Sequence, residues 1–229
     1  TATLEMADPE ALQGRVFHGL PLVAFEQLPI QAERFAKLAM ALAQAITRYN
    51  PDLAGQPLPH SADEWFTLAR KRFEENRPLS ELDREAPPSF PLPLSPSPNP
   101  GLAEMAADAA LKPYLAWAAR QIMPHLDQQA WKRPYCPVCG GGPDFAFLET
   151  EVGARLLVCS RCDSRWAYAR VGCPFCGESD HTKITYYPSD DEVYRLYVCQ
   201  ACRRYLKTKD LRKDNGQNVR VEHVTSMAM

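Results

Sequence analysis

The sequence predicts an α+β protein: an N-terminal all-helical domain followed by two tandem zinc-ribbon-like metal-binding domains. Three observations predict this. All eight cysteines fall between Trp131 and Arg212 as four Cys-x-x-Cys pairs, that stretch is an internal repeat, and apolar residues recur at helical spacing through much of the first 130 residues.

The pairs are Cys136/Cys139, Cys159/Cys162, Cys173/Cys176 and Cys199/Cys202. Two sit in the pentapeptide Cys-Pro-x-Cys-Gly, Cys136 to Gly140 and Cys173 to Gly177, and two end the runs Leu157-Val158-Cys159 and Tyr197-Val198-Cys199. Between the paired motifs lie 19 residues in the first unit and 22 in the second. Two cysteines three apart on a tight turn place both sulfurs on one ion, and a second turn about 20 residues on completes a tetrahedron. Proline after the first cysteine presets the turn, and glycine after the second takes a positive φ without steric cost. The expected ligand sets are therefore Cys136, Cys139, Cys159 and Cys162 for one ion, and Cys173, Cys176, Cys199 and Cys202 for another.

Other uses of cysteine fit less well. Pairs three apart are poorly placed to bridge one another, and disulfide scaffolds are short secreted chains. A thioredoxin-like dithiol needs a strand-to-helix junction, whereas Gly140 to Pro143 flanks the first pair here. Iron–sulfur clusters use more compact ligand runs. Four thiolates suit zinc and iron alike, and spacing alone favours zinc as the commoner structural ion. Metal binding requires ionised cysteine, so two divalent sites take the formal charge from −2 to about −6. Arg161, Arg165, Arg203 and Arg204 flank the ligands, either to offset that charge or as ordinary solvated surface.

In the first 130 residues, Pro9, Pro21 and Pro29 break the chain up to residue 29, leaving room for one short helix. Phe35, Leu38, Leu42, Ala45, Ile46 and Tyr49 predict an amphipathic helix over 31–49, stopped by Pro51. Ser61 and Glu64 have capping-box spacing for a second helix, with Trp65, Phe66, Ala69 and Phe73 on one face and Arg70, Lys71 and Arg72 on a solvated one. Half of residues 87–100 are proline, which reads as a stiff connector. Helical pattern returns at Leu102, Met105, Ala106 and Ala109, and restarts after Pro113 with Leu115, Ala118, Ala119 and Ile122. Pro124 marks a kink or break before Trp131. Trp65, Phe66 and Trp117 read as core.

The domains expected are 1–130, 131–170, 171–214 and a C-terminal helix start or tail over 215–229. Residues 1–130 carry a formal −5 and residues 131–229 a formal +3, which the thiolates more than cancel. That weakens the alternative of a zinc-ribbon nucleic-acid-binding protein, whose best patch is Arg203, Arg204, Lys207, Lys209, Arg212 and Lys213 with Tyr205 and Leu206. The five histidines share no ligand spacing. No Ser/His/Asp arrangement, phosphate-binding loop or carboxylate pair stands out, so the expectation is a non-enzyme. The sequence opens on Thr1 with no signal-like segment, and no apolar run is long enough to span a membrane, which together with free thiolates points to the cytoplasm.

The motif string is specific. Tyr135 to Gly140, Leu157 to Cys162 with Trp166 and Arg170, Gly172 to Gly177, and Val198 to Lys207 with Asp210 to Asp214 resemble the FdhE family of formate dehydrogenase accessory proteins. Val224 to Met229 is similar to the start of that family's last helix. The resemblance implies a bacterial cytoplasmic assembly factor with two rubredoxin-like sites, in which the eight cysteines hold iron, with zinc as the alternative. It implies a catalytic formate dehydrogenase subunit as partner and leaves a homodimer open. Rubredoxins carry glycine after both pairs, whereas Asp163 and Arg203 follow the second pair of each unit here. Half of each site is thus expected to be more ribbon-like.

Overall fold

The computed structural model describes residues 9–75 and 100–213. Residues 87–99 of the proline-rich connector and the tail over 215–229 lie outside the described residues. The helical part comprises α1 (Pro9–His18), α2 (Ala32–Tyr49), α3 (Ala62–Glu75) and α4 (Leu102–Ile122), with a short 3-10 turn at Phe25–Gln27.

In α2 the buried stripe is Phe35, Ala36, Ala39 and Ala43, so it is rotated toward the alanines; Leu38 is only partly covered and Tyr49 lies in solvent. The helix packs on α4, whose buried residues Ala106, Ala107, Ala110, Ala118 and Ala119 are also small. Small residues let two helix axes approach closely, and the larger leucine at 38 stays at the margin.

At the start of α3, Ser61 Oγ accepts from the Glu64 amide at 3.2 Å. The Glu64 carboxylate accepts from the His60 amide at 2.8 Å, one residue earlier than the capping box prescribes. The basic face of α3 is not solvated throughout. Arg72 is 2% exposed and its guanidinium holds the Asp108 carboxylate of α4, with Nη2 to Oδ2 at 2.6 Å and Nε to Oδ1 at 3.2 Å. Arg70 lies over the Phe25 ring and pairs with Glu26.

Helix α4 runs through Pro113 rather than restarting after it. Pro113 and Ala109, whose carbonyl loses its helical donor, both lie on the exposed side, so water replaces the missing bond. The helix ends where Pro124 enters a 3-10 turn at Met123–His125.

The cysteine-rich half forms one six-stranded sheet from β1 (Pro143–Leu148), β2 (Arg155–Cys159), β3 (Arg165–Tyr168), β4 (Ile184–Pro188), β5 (Tyr194–Cys199) and β6 (Tyr205–Asp210), in the order β3-β2-β1-β6-β5-β4. Each repeat unit is a three-stranded antiparallel meander, with two strands spanning the gap between its paired motifs and the third following the second motif. The units join through parallel pairing of β1 with β6, from Phe145 opposite Lys207 to Leu148 opposite Asp210. Interior placement explains why Thr208, Lys209 and Asp210 are buried although the sequence there is polar. Asp210 is held by Arg195 at 2.7 Å and Arg212 at 2.6 Å. Those hydrogen bonds from Arg212 keep its carboxyl below the ordinary aspartate value.

One apolar core runs from the helices into the sheet: Phe35, Trp65, Phe73 and Leu115 are continuous with Trp131, Tyr135, Trp166 and Leu206. Replacing Asp108 by Asn leaves Arg72 buried without its full counter-charge. The expected loss is about 2 kcal/mol in denaturant unfolding, below that of a fully buried pair because Asp108 is a third exposed.

Candidate metal centres

All four Cys-x-x-Cys turns adopt one hydrogen-bonded geometry. The carbonyls of Cys136, Cys159, Cys173 and Cys199 accept from the amides of Gly140, Asp163, Gly177 and Arg203, at 2.9 to 3.1 Å. The amides of the same four cysteines donate to the carbonyls of Gly141, Ser164, Glu178 and Arg204, at 2.8 to 2.9 Å. The residue after each second cysteine is left-handed, with φ of 77° at Gly140, 59° at Asp163, 75° at Gly177 and 59° at Arg203. Asp163 and Arg203 thus take the conformation that glycine supplies elsewhere, at a steric cost of about 1 kcal/mol each. The half of each site expected to differ from rubredoxin has the same backbone as the other half.

These turns bring the cysteine sulfurs into two groups. Cys136, Cys139, Cys159 and Cys162 form one and Cys173, Cys176, Cys199 and Cys202 the other, with all sulfurs of a group within 4.8 Å of one another. In the first group the closest separations are 3.5 Å for Cys136–Cys162 and Cys139–Cys159, and 3.7 Å for Cys139–Cys162. In the second they are 3.6 Å for Cys173–Cys202 and 3.7 Å for Cys176–Cys199. A metal–sulfur bond of about 2.3 Å in a regular tetrahedron sets sulfurs about 3.8 Å apart, so both groups fit one tetrahedral ion. The separations are far beyond a disulfide bond, and all eight cysteines are free. No histidine or carboxylate joins either group among the described residues.

The groups differ in their surroundings. The first is wholly buried. The 20–23 loop reaches it from the helical half: the amides of Leu22 and Val23 donate to the carbonyls of Pro137 and Val138 at 2.8 and 3.0 Å, and Tyr135 Oη donates to the Gly19 carbonyl at 2.8 Å. Trp131 Nε1 caps the Tyr135 carbonyl at 2.9 Å, and Trp166 Nε1 donates to the Arg133 carbonyl at 3.0 Å. From α4, Lys112 Nζ pairs with Asp163 at 3.0 Å. Ser164 Oγ lies 3.0 Å from Cys162 Sγ, and the Arg161 amide donates to Cys159 Sγ at 3.4 Å. Both support a thiolate. Burial pushes the thiols of Cys136, Cys159 and Cys162 well above the ordinary value, while hydrogen bonds from the other three hold Cys139 well below it. A cation entering there displaces protons, so its affinity falls with pH.

In the second group Cys176 and Cys202 are partly exposed. Besides the β1–β6 pairing, Arg155 on β2 of the first unit is buried and donates to the Gly172 carbonyl beside this group at 2.7 Å. Burial lowers the Arg155 pKa to about 10. Neither Arg155 nor the 20–23 loop has a sequence signature, because each acts through backbone groups distant in the chain.

Of the flanking arginines, Arg161 and Arg204 are half-buried and Arg165 and Arg203 exposed. Arg161 lies over Phe73 of α3 at 5.2 Å, Arg165 over Phe147 at 5.0 Å and Arg204 over Phe175 at 3.9 Å, while Arg203 is exposed. The basic run toward Lys213 does not assemble into one patch. Strand β6 sends alternate side chains to opposite faces, Leu206 and Lys209 are buried, Lys209 faces the Tyr194 ring, and Arg212 and Lys213 pair with Asp210 and Glu192.

The fold and site define a class of protein: a helical part built onto a sheet that carries two four-cysteine centres. Residues 135–170 match the family model described as "FdhE, central domain", so this segment is similar to the central domain of the FdhE family. It is 34% identical over 123 residues to an FdhE homolog of Aquifex aeolicus, covering 52% of this chain and 43% of that one. An FdhE homolog of Haemophilus influenzae is 37% identical over 112 residues, covering 46% and 36%. The crystal structure of the FdhE protein from Pseudomonas aeruginosa superposes with a TM-score of 0.51 at 25% identity, covering 100% of this chain and 75% of that one. The matches to these two homologs span less than half of their length.

Two outcomes are expected. Arg203→Gly removes the left-handed strain at an exposed position and should raise the melting temperature of the metal-loaded protein by about 3 °C in a thermal scan. Chelator competition followed by metal analysis should strip the Cys173 centre first, leaving one ion per chain, and the double substitution Cys173→Ser, Cys176→Ser should give the same one-ion protein.

Proposed function

We propose that this chain is an accessory protein for the formation of formate dehydrogenase, and that in the cytoplasm it binds the catalytic subunit of that enzyme through a metal-stabilised scaffold. The observation that carries this reading is the match of the first four-cysteine unit to the FdhE central domain, within a chain that aligns along its whole length with an FdhE crystal structure. A client-binding role also suits the architecture. No helix among the described residues is long and apolar enough to cross a membrane. The helices and both units share one core, so a metal-rigidified surface is available to a partner.

In this reading the eight cysteines hold two ions. Iron is favoured by the family resemblance, and zinc fits the same sulfur tetrahedra. Bound iron would supply one-electron chemistry with little change of geometry. The chain's own residues would keep the first centre from solvent and leave Cys176 and Cys202 of the second within reach of it. The split basic run on β6 argues against a nucleic-acid partner.

The test is affinity capture from lysate of a formate dehydrogenase-producing cell. The tagged, metal-loaded protein should retain the catalytic subunit and no excess of DNA or RNA. Retention of nucleic acid without the subunit would reverse the assignment.

A further inference from the structure

A cavity of about 380 Å³ opens beside the buried cysteine group. Its lining comes from distant places in the chain: Asp108 and Lys112 on α4, Gly141 to Asp144 after the first turn, Arg161 within the second, and Arg204 from the other unit. Two of its charges are already matched. Asp108 is held by Arg72 at 2.6 Å, and Lys112 by Asp163 at 3.0 Å. Arg161 and Arg204 have no carboxylate partner among the described residues.

Both guanidiniums are stacked, Arg161 on Phe73 at 5.2 Å and Arg204 on Phe175 at 3.9 Å. An aromatic face satisfies the plane of a guanidinium and leaves its N–H edge for an in-plane acceptor, the geometry that a carboxylate matches with two oxygens. The edge of Arg161 is poorly used. Nη1 is 3.5 Å from the Cys139 carbonyl, and Nη2 is buried without a hydrogen-bond partner. A buried donor of this kind is stabilised by any acceptor that reaches it. The backbone against Arg161 is kept bare: a Cβ at Gly141 would meet Arg161 Cδ at 2.8 Å and Cys159 Sγ at 3.2 Å. A side chain there would push Arg161 aside.

We propose that this cavity binds a carboxylate, with Arg161 and Arg204 as the anion-facing groups. Asp108 and Asp144, which also line the cavity, oppose a polyanion, so a singly charged group fits best. The carboxylate comes either from a small free acid or from an Asp or Glu side chain of a bound polypeptide. The site stands whether or not the chain serves a formate dehydrogenase client.

The test is saturation-transfer NMR on the metal-loaded full chain with acetate as the probe. Arg204→Gln should weaken acetate binding by about tenfold while metal analysis still finds both ions. Ala109→Leu narrows the cavity from an exposed helix position without touching charge or cysteine, and should weaken binding likewise. If a capped peptide with one glutamate displaces acetate, the natural ligand is a polypeptide side chain; if it does not, the ligand is a free acid. The proposal is overturned if acetate shows no transfer, if both variants bind it like the parent, or if inorganic phosphate displaces it at lower concentration than another carboxylate.

Discussion

Four sulfurs must meet at the corners of a tetrahedron, and much of this structure follows from that requirement. A strand sends residues three apart to opposite faces, and each pair here sits instead on a turn whose backbone is closed by two hydrogen bonds and a left-handed residue. Because the turn geometry is dictated, the strands leaving it have fixed directions. Each unit therefore folds back on itself as a meander, and the two meanders meet by unlike edges, the first strand of one against the last strand of the other.

Those edges are β1 and β6, and their parallel pairing makes one sheet from two repeats. The consequence is mechanical as well as topological. A short metal-held unit buries little apolar surface alone, but here each shares a core with its neighbour and with four helices. Arg155, reaching from β2 to the backbone beside Cys173, and Arg161, reaching from the first centre to Phe73, couple the centres to each other and to the helical half.

The centres are chemically alike and environmentally different. The first is enclosed by the 20–23 loop, α3 and α4, whereas two cysteines of the second are partly open to solvent. Enclosure slows exchange and excludes external reductants and oxidants, and exposure allows both. The two centres thus divide into one shut off from solvent and one within its reach.

The sequence by itself determined the helices, the repeat and the grouping of cysteines, because helical periodicity and Cys-x-x-Cys spacing are local signals that act within one turn. It also carried the family resemblance, since the motifs are contiguous. Tertiary structure alone decided the rest. The continuity of α4 through Pro113 depends on which side of the helix faces water. The burial of Arg72, Lys209 and Asp210 depends on neighbours 15 or more residues away: Asp108 for Arg72, Tyr194 for Lys209 and Arg195 for Asp210. Whether Asp163 and Arg203 could replace glycine was decided by the closed turn, which holds them left-handed against their own preference. Joining the two units needed a parallel strand pair between segments about 60 residues apart, and spacing along a chain does not encode contacts made at that distance.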